Sequence, residues 1–157
     1  MPEPVSLRER IQEDTTAAMR SGDELRRDVL RMASSSAYNL EKQQLRELSE
    51  DELIGVLTRE VKQRRESVEA YRAGSREDLA SREEAEIAIL TEYLPEPLTD
   101  EQLDALVGEG IAATGSATPR DLGKVMGWLA PRTRGRADGK VVSAKVAAAL
   151  AGAERSA

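Results

Sequence analysis

At three places in this chain a serine or threonine three positions ahead of a glutamate or glutamine reads as a capping box that opens an apolar pattern with helical spacing. The pairs are Ser6 with Glu9, Ser49 with Glu52, and Thr99 with Gln102. In such a capping box each side chain accepts a hydrogen bond from the other residue's backbone N–H. Two of the donors left over at a helix start are thereby satisfied. A chain punctuated this way is committed to helices beginning at stated places.

The intervals fill in accordingly. The first helix is expected from Ser6 to about Arg20, with Leu7, Ile11, Thr15 and Ala18 facing inward. Ser21-Gly22 breaks it, and Asp23 caps a second helix through Leu25, Val29, Met32, Ser36 and Leu40 to about Gln44. The third runs from Ser49 to Gly74 with Leu53, Val56, Leu57, Val61, Val68 and Tyr71 on its inner face, and a fourth starts at Ser75 with Leu79, Ile87, Leu90 and Leu94. Pro95-Glu96-Pro97 stops that helix stiffly and marks a domain boundary. Beyond it, Thr99 opens a helix carrying Leu103, Leu106, Val107 and Ile111, closed by Gly115. Thr118 and Pro119 start the sixth, with Leu122, Val125, Met126 and Leu129 on one face, and Pro131 is expected to end it. Asp138 caps the last, which buries Val142, Val146, Ala149 and Leu150 before a frayed tail from Gly152 to Ala157. The expected fold is all-α: an N-terminal four-helix domain over 1–95, joined by a proline hinge to a C-terminal three-helix bundle over 98–151.

Composition narrows the chemistry. One Trp, three Tyr and no Phe leave the core to aliphatic side chains. Without Cys there is no thiol nucleophile, disulfide or thiolate metal site, and without His the commonest acid–base group and metal ligand is missing. Ser34-Ser35-Ser36 reads as a close helix crossing, because nothing nearby would activate a serine. Glu83, Glu84 and Glu86 read as a solvated face, and the charges of the third helix, Arg64 among them, as a solvated or interhelical ion-pair face or else a second RNA-facing patch. No phosphate loop, dinucleotide fingerprint or zinc spacing is present. We therefore expect no catalytic residue, metal or cofactor. No apolar run reaches the roughly 20 residues of a membrane span, and MPEPVSLRER lacks a signal-peptide core, so a cytoplasmic protein without membrane contact is expected.

One stretch stands apart. From Pro119 to Ala147 there are seven basic residues (Arg120, Lys124, Arg132, Arg134, Arg136, Lys140, Lys145) against two acidic ones, a net of +5 in a chain of net −6. Such an island is the footprint of phosphate binding, or of a loop whose arginines pair with the acidic part of the same chain. Beside it Gly123, Gly127 and Ala130 form a strip with almost no side chain. Glycine inside a helix costs about 1 kcal/mol relative to alanine. The strip is accordingly read as admitting another backbone, either a packed helix or a nucleic-acid strand.

GKVMGWLAPRTRGRADGKVV resembles the C-terminal signature of the YqeY family, with its G-x-x-M-G helix and basic-Gly-basic-Ala loop. It is also similar to the tail domain of GatB, the B subunit of tRNA-dependent amidotransferases. LRRDVLRMASSSAYN and EVKQRRESVEAYRAGSREDLASREEAEIAILTEYLPEPL extend the YqeY resemblance along nearly the whole chain. The resemblance implies two helical domains, the second placed in GatB to touch tRNA. Carried over by position, it implies RNA contacts at Lys124, Arg132, Arg134, Arg136 and Lys140, with backbone requirements at Gly123, Gly127 and Gly135. Trp128 departs from the small or aliphatic residue expected there. One turn from Lys124, its indole is either a platform for an unpaired base or a core tryptophan.

The resulting expectation is a non-catalytic accessory protein that engages tRNA or another structured RNA through its C-terminal domain. A second reading is a protein-interaction module working with an amidotransferase or an aminoacyl-tRNA synthetase. A third is carbon–nitrogen ligation with glutamine as amide donor, which in the parent system needs an amidase subunit and a nucleotide-binding domain, neither of which can be placed on this chain.

Overall fold

The computed structural model describes residues 3–156, and among them the regular structure is helical, without strands. Seven α-helices follow one another: α1 Leu7–Ser21, α2 Glu24–Gln44, α3 Glu50–Ala73, α4 Glu77–Thr91, α5 Asp100–Thr114, α6 Leu122–Thr133 and α7 Gly139–Ser156. The fold is all-α, as the capping signals require. The chain divides into two compact units, one ending at Leu94 and the other beginning at Pro95.

All three capping boxes form. Glu9 N donates to Ser6 Oγ and Ser6 N to the Glu9 carboxylate, each at 3.2 Å. The Ser49–Glu52 box has the same two distances, and the Thr99–Gln102 box closes at 3.1 and 3.0 Å. Each cap side chain is worth about 0.5–2 kcal/mol to its helix. Asp138 caps α7 by accepting from Lys140 N at 2.8 Å.

In the N-terminal unit α2 supplies Val29, Leu30, Ala33 and Ala37 to a core shared with Leu53, Val56, Leu57 and Val61 of α3, Leu90 of α4, and Leu7 and Ile11 of α1. Tyr93 joins it and donates its hydroxyl to Asp14 at 2.6 Å. The buried face of α2 is rotated from the expected one. Met32 is 54% exposed, while the small Ala33 and Ala37 let the neighbouring helices close in. Of the serine run, Ser36 is at a helix crossing, donating to Glu60 at 2.8 Å, whereas Ser34 and Ser35 are exposed. Glu60 and Glu86 in turn accept from the buried Arg64 at 2.7 and 3.1 Å. The charges of α3 thus include an interhelical ion pair, and Glu86 leaves the solvated face expected for it because Arg64 draws it inward.

Three helix ends differ from expectation. Ser75 does not start α4. It adopts φ 57° as the left-handed residue that closes α3, with Arg76 N donating back to the Tyr71 carbonyl at 2.8 Å, and α4 begins at Glu77. Pro131 lies inside α6, which continues to Thr133. Only one ladder bond is lost so near the end, and the buried Thr133 holds the last turn by donating its hydroxyl to the Leu129 carbonyl at 3.1 Å. The tail is helical through Ser156, with Arg155 and Ser156 bonded to the carbonyls of Ala151 and Gly152; Ala157 lies outside the described residues.

In the C-terminal unit α5, α6 and α7 enclose Leu103, Val107, Val125, Leu129, Val142, Val146 and Leu150. Gly115 closes α5 at φ 65°, and a short 3-10 turn, Pro119–Asp121, leads into α6.

Candidate functional site

The basic island runs from the 3-10 turn, which carries Arg120, through α6 and the loop after it to α7, which carries Lys140 and Lys145. Helical geometry places Leu122, Val125, Met126 and Leu129 on the core side of α6 and Gly123, Lys124, Gly127 and Pro131 on the opposite side. The exposures agree: Val125 and Leu129 are fully buried, whereas Gly123, Lys124, Gly127 and Pro131 are exposed. Asp121, ahead of Lys124, accepts from the backbone N–H groups of Ala117 and Thr118 at 3.0 and 3.3 Å. These donors, with a smaller contribution from the Lys124 charge, hold its carboxyl below the ordinary aspartate value.

The glycine strip does not receive a neighbouring helix. A Cβ built on Gly123 or Gly127 would meet no atom within 4 Å. The close approach lies elsewhere, at Gly110 of α5, where a Cβ would sit 2.9 Å from Cε3 of Trp128 and 3.4 Å from Val125 Cγ1. Sequence reasoning missed Gly110. Its signal was there, since Gly108 and Gly110 both interrupt a helix interior. The exposed strip thus leaves the surface beside Lys124 without side-chain bulk.

Trp128 is half-buried and packs with the core of this unit. Its six-membered ring abuts Gly110, and the guanidinium of Arg132 lies over the indole, 3.6 Å from its centroid. Arg132 also donates to the Trp128 carbonyl at 2.6 Å. The residue over the ring is therefore Arg132, one turn further along, rather than Lys124.

Past α6 the chain turns at Gly135, whose φ of 75° lies in the left-handed region that favours glycine. Arg136 fixes the loop to the segment before α5: its Nε donates to the Glu96 carbonyl at 2.9 Å, and its own carbonyl accepts from Leu98 N at 2.8 Å. It is half-buried, while Arg132, Arg134 and Lys140 are exposed.

Among the described residues ion pairing takes up about half of the basic side chains of the N-terminal unit, leaving Arg10, Arg20, Arg31, Lys42, Arg59, Lys62, Arg65 and Arg82 with no carboxylate within 4 Å, but only Lys145 of the island. In the N-terminal unit Arg8, Arg26, Arg46, Arg64, Arg72 and Arg76 each bind a carboxylate. Among the described residues Arg120, Lys124, Arg132, Arg134, Arg136 and Lys140 have none within 4 Å. Lys145 is the exception in the island, held by Asp104 at 2.7 Å and Asp100 at 3.8 Å. The two partners raise its pKa, with the Asp104 hydrogen bond the larger cause. Six cations without a carboxylate within 4 Å, in the same stretch as a strip without bulk, make a surface suited to holding a polyanion. Among the described residues no group of three or more acidic side chains could hold a metal ion, and no helix is long and apolar enough to cross a membrane.

Comparison with known proteins matches residues 8–150 to the family described as Yqey-like protein. Two relatives carry the name "Altered inheritance of mitochondria protein 41, mitochondrial". The one from Lachancea thermotolerans is 29% identical over 143 residues, covering 87% of this chain and 76% of the relative. The one from Pyrenophora tritici-repentis is 30% identical over 148 residues, covering 92% and 81%.

Proposed function

From the premise that the chain belongs to the Yqey-like family, we propose that it is a non-catalytic accessory protein that binds tRNA or another structured RNA through its C-terminal unit. The observation that carries this reading is the set of cations on α6, the following loop and the first turn of α7, Lys124, Arg132, Arg134, Arg136 and Lys140, none of which meets a carboxylate among the described residues. A cation already neutralised by its own chain gains little from a phosphate, whereas these have that interaction still to make. The resemblance of GKVMGWLAPRTRGRADGKVV to the tRNA-touching tail of GatB points the same way.

Association with the translation apparatus in a cytoplasmic setting belongs to the same proposal. The lack of cysteine fits a reducing compartment. The absence of histidine and cysteine from the sequence argues for binding over chemistry.

The test is a salt titration of tRNA binding by the full chain. Contacts to about 3–5 phosphates give a log–log slope steeper than about −2 even for single-stranded segments. Arg132→Glu with Arg134→Glu should weaken binding at least about tenfold and flatten that slope. No binding at low salt, or no effect of the double variant, would overturn the reading.

A further inference from the structure

We infer that this surface takes the phosphate backbone of paired RNA rather than unpaired bases. The inference rests on the RNA-binding reading above and specifies the form of RNA.

Recognition of unpaired bases depends on aromatic side chains with an open face, on which successive bases stack. From Pro95 onward the chain has one aromatic residue, Trp128. Its indole is engaged by its own unit. The Arg132 guanidinium lies 3.6 Å from the ring centroid, and the six-membered ring is lodged against Gly110 so closely that a methyl group there would come within 2.9 Å. A base could stack on the face that Arg132 covers only by displacing it, which would also break its hydrogen bond to the Trp128 carbonyl.

The remaining polar equipment suits a backbone. Lys124, Arg134 and Lys140 are exposed cations without a carboxylate partner among the described residues. Gly123 and Gly127, beside Lys124, face open space, so a sugar–phosphate strand can approach the helix without meeting a side chain. Paired RNA presents its phosphates and 2′-hydroxyls outward in a fixed A-form arrangement, and proteins that bind it read shape and backbone. A helix that presents Lys124 and, held over the Trp128 ring, Arg132 is suited to that array. A single strand would have to be ordered without gaining a stack in return.

The experiment titrates the full chain with a blunt RNA duplex of about 16 base pairs, a span typical of duplex-binding modules, and with an unstructured oligouridine of matched phosphate number. Trp128, the single tryptophan, serves as an internal probe. The duplex should bind at least about tenfold more tightly, since the single strand lacks the stacking that normally supports its binding. Oligouridine should leave Trp128 emission nearly unchanged. Equal or tighter binding of oligouridine, with strong quenching of Trp128, would overturn the inference while leaving RNA binding intact. Failure of both ligands at low salt would overturn the inference together with the function it specifies.

Discussion

Arg132 lies over the indole of Trp128, 3.6 Å from the ring centroid, and donates to the carbonyl of the same residue at 2.6 Å. The tryptophan is thereby a pedestal: it holds an exposed guanidinium in one place on the surface proposed to meet phosphate. An arginine already immobilised loses less rotamer freedom on binding than one free in solvent.

Replacing the pedestal should therefore weaken RNA binding although no charge is lost. A cation–π contact at an exposed site is worth about 0.5–1 kcal/mol, so Trp128→Leu should reduce affinity by a factor of about 2–5. Arg132→Lys in the native background should give a similar loss, because lysine lacks the planar fork. Anisotropy titrations against tRNA at fixed salt measure both.

Two glycines of the C-terminal unit should respond in opposite ways. Gly127→Ala adds a methyl group in open space and should stabilise α6 by roughly 0.5–1 kcal/mol. If the strip admits an RNA strand, the same substitution lowers RNA affinity. Gly110→Val pushes against Trp128 and Val125 and should destabilise by about 1–3 kcal/mol. Urea unfolding followed by Trp128 fluorescence distinguishes the two signs.

Arg64 should be the most sensitive charged residue in the N-terminal unit. It is 5% exposed and bonds Glu60 and Glu86 at once. Arg64→Met leaves two desolvated carboxylates unpaired and should cost about 3–5 kcal/mol. Glu60→Gln with Glu86→Gln, added to that variant, should recover part of the loss. The buried charges disappear, and the amide oxygen introduced by Glu60→Gln can still accept from Ser36. Thermal unfolding of the single and triple variants checks this.

Alkaline pH should act through Tyr93. Burial, then its hydrogen bond to Asp14, pushes its hydroxyl up to about 12. A group whose folded pKa is raised contributes stability that is fully present below its unfolded value of about 10 and is lost as pH climbs toward the folded one. Stability should thus hold up to about pH 10 and fall between there and about 12. In an ultraviolet titration the Tyr93 phenolate should form above the ordinary tyrosine value of about 10. Stability unchanged between about pH 10 and about pH 12 would contradict this.

The elements legible in the sequence are those whose physics is local. Ser6 with Glu9, Ser49 with Glu52 and Thr99 with Gln102 find each other within one turn, whatever the rest of the chain does. The helix starts at Leu7, Glu50 and Asp100 can therefore be read directly, as can the aliphatic make-up of the cores. The start of α4 is not legible in the same way, because a serine can begin one helix or close another. Which it does here depends on the backbone after α3 bending back to satisfy the Tyr71 carbonyl.

What composition and spacing determined was an all-helical chain with a cationic stretch near its end. Whether those cations were free could not be read from them, since ion pairing depends on which carboxylates the packed helices bring within reach. Packing gave Arg64 two partners and Lys145 two, and left Arg134 and Lys140 with none among the described residues. The rotation of each helix about its own axis likewise decided that Gly110, rather than Gly123 or Gly127, is the glycine at a close helix contact. That rotation is set by the shape of the whole core, so no local pattern encodes it.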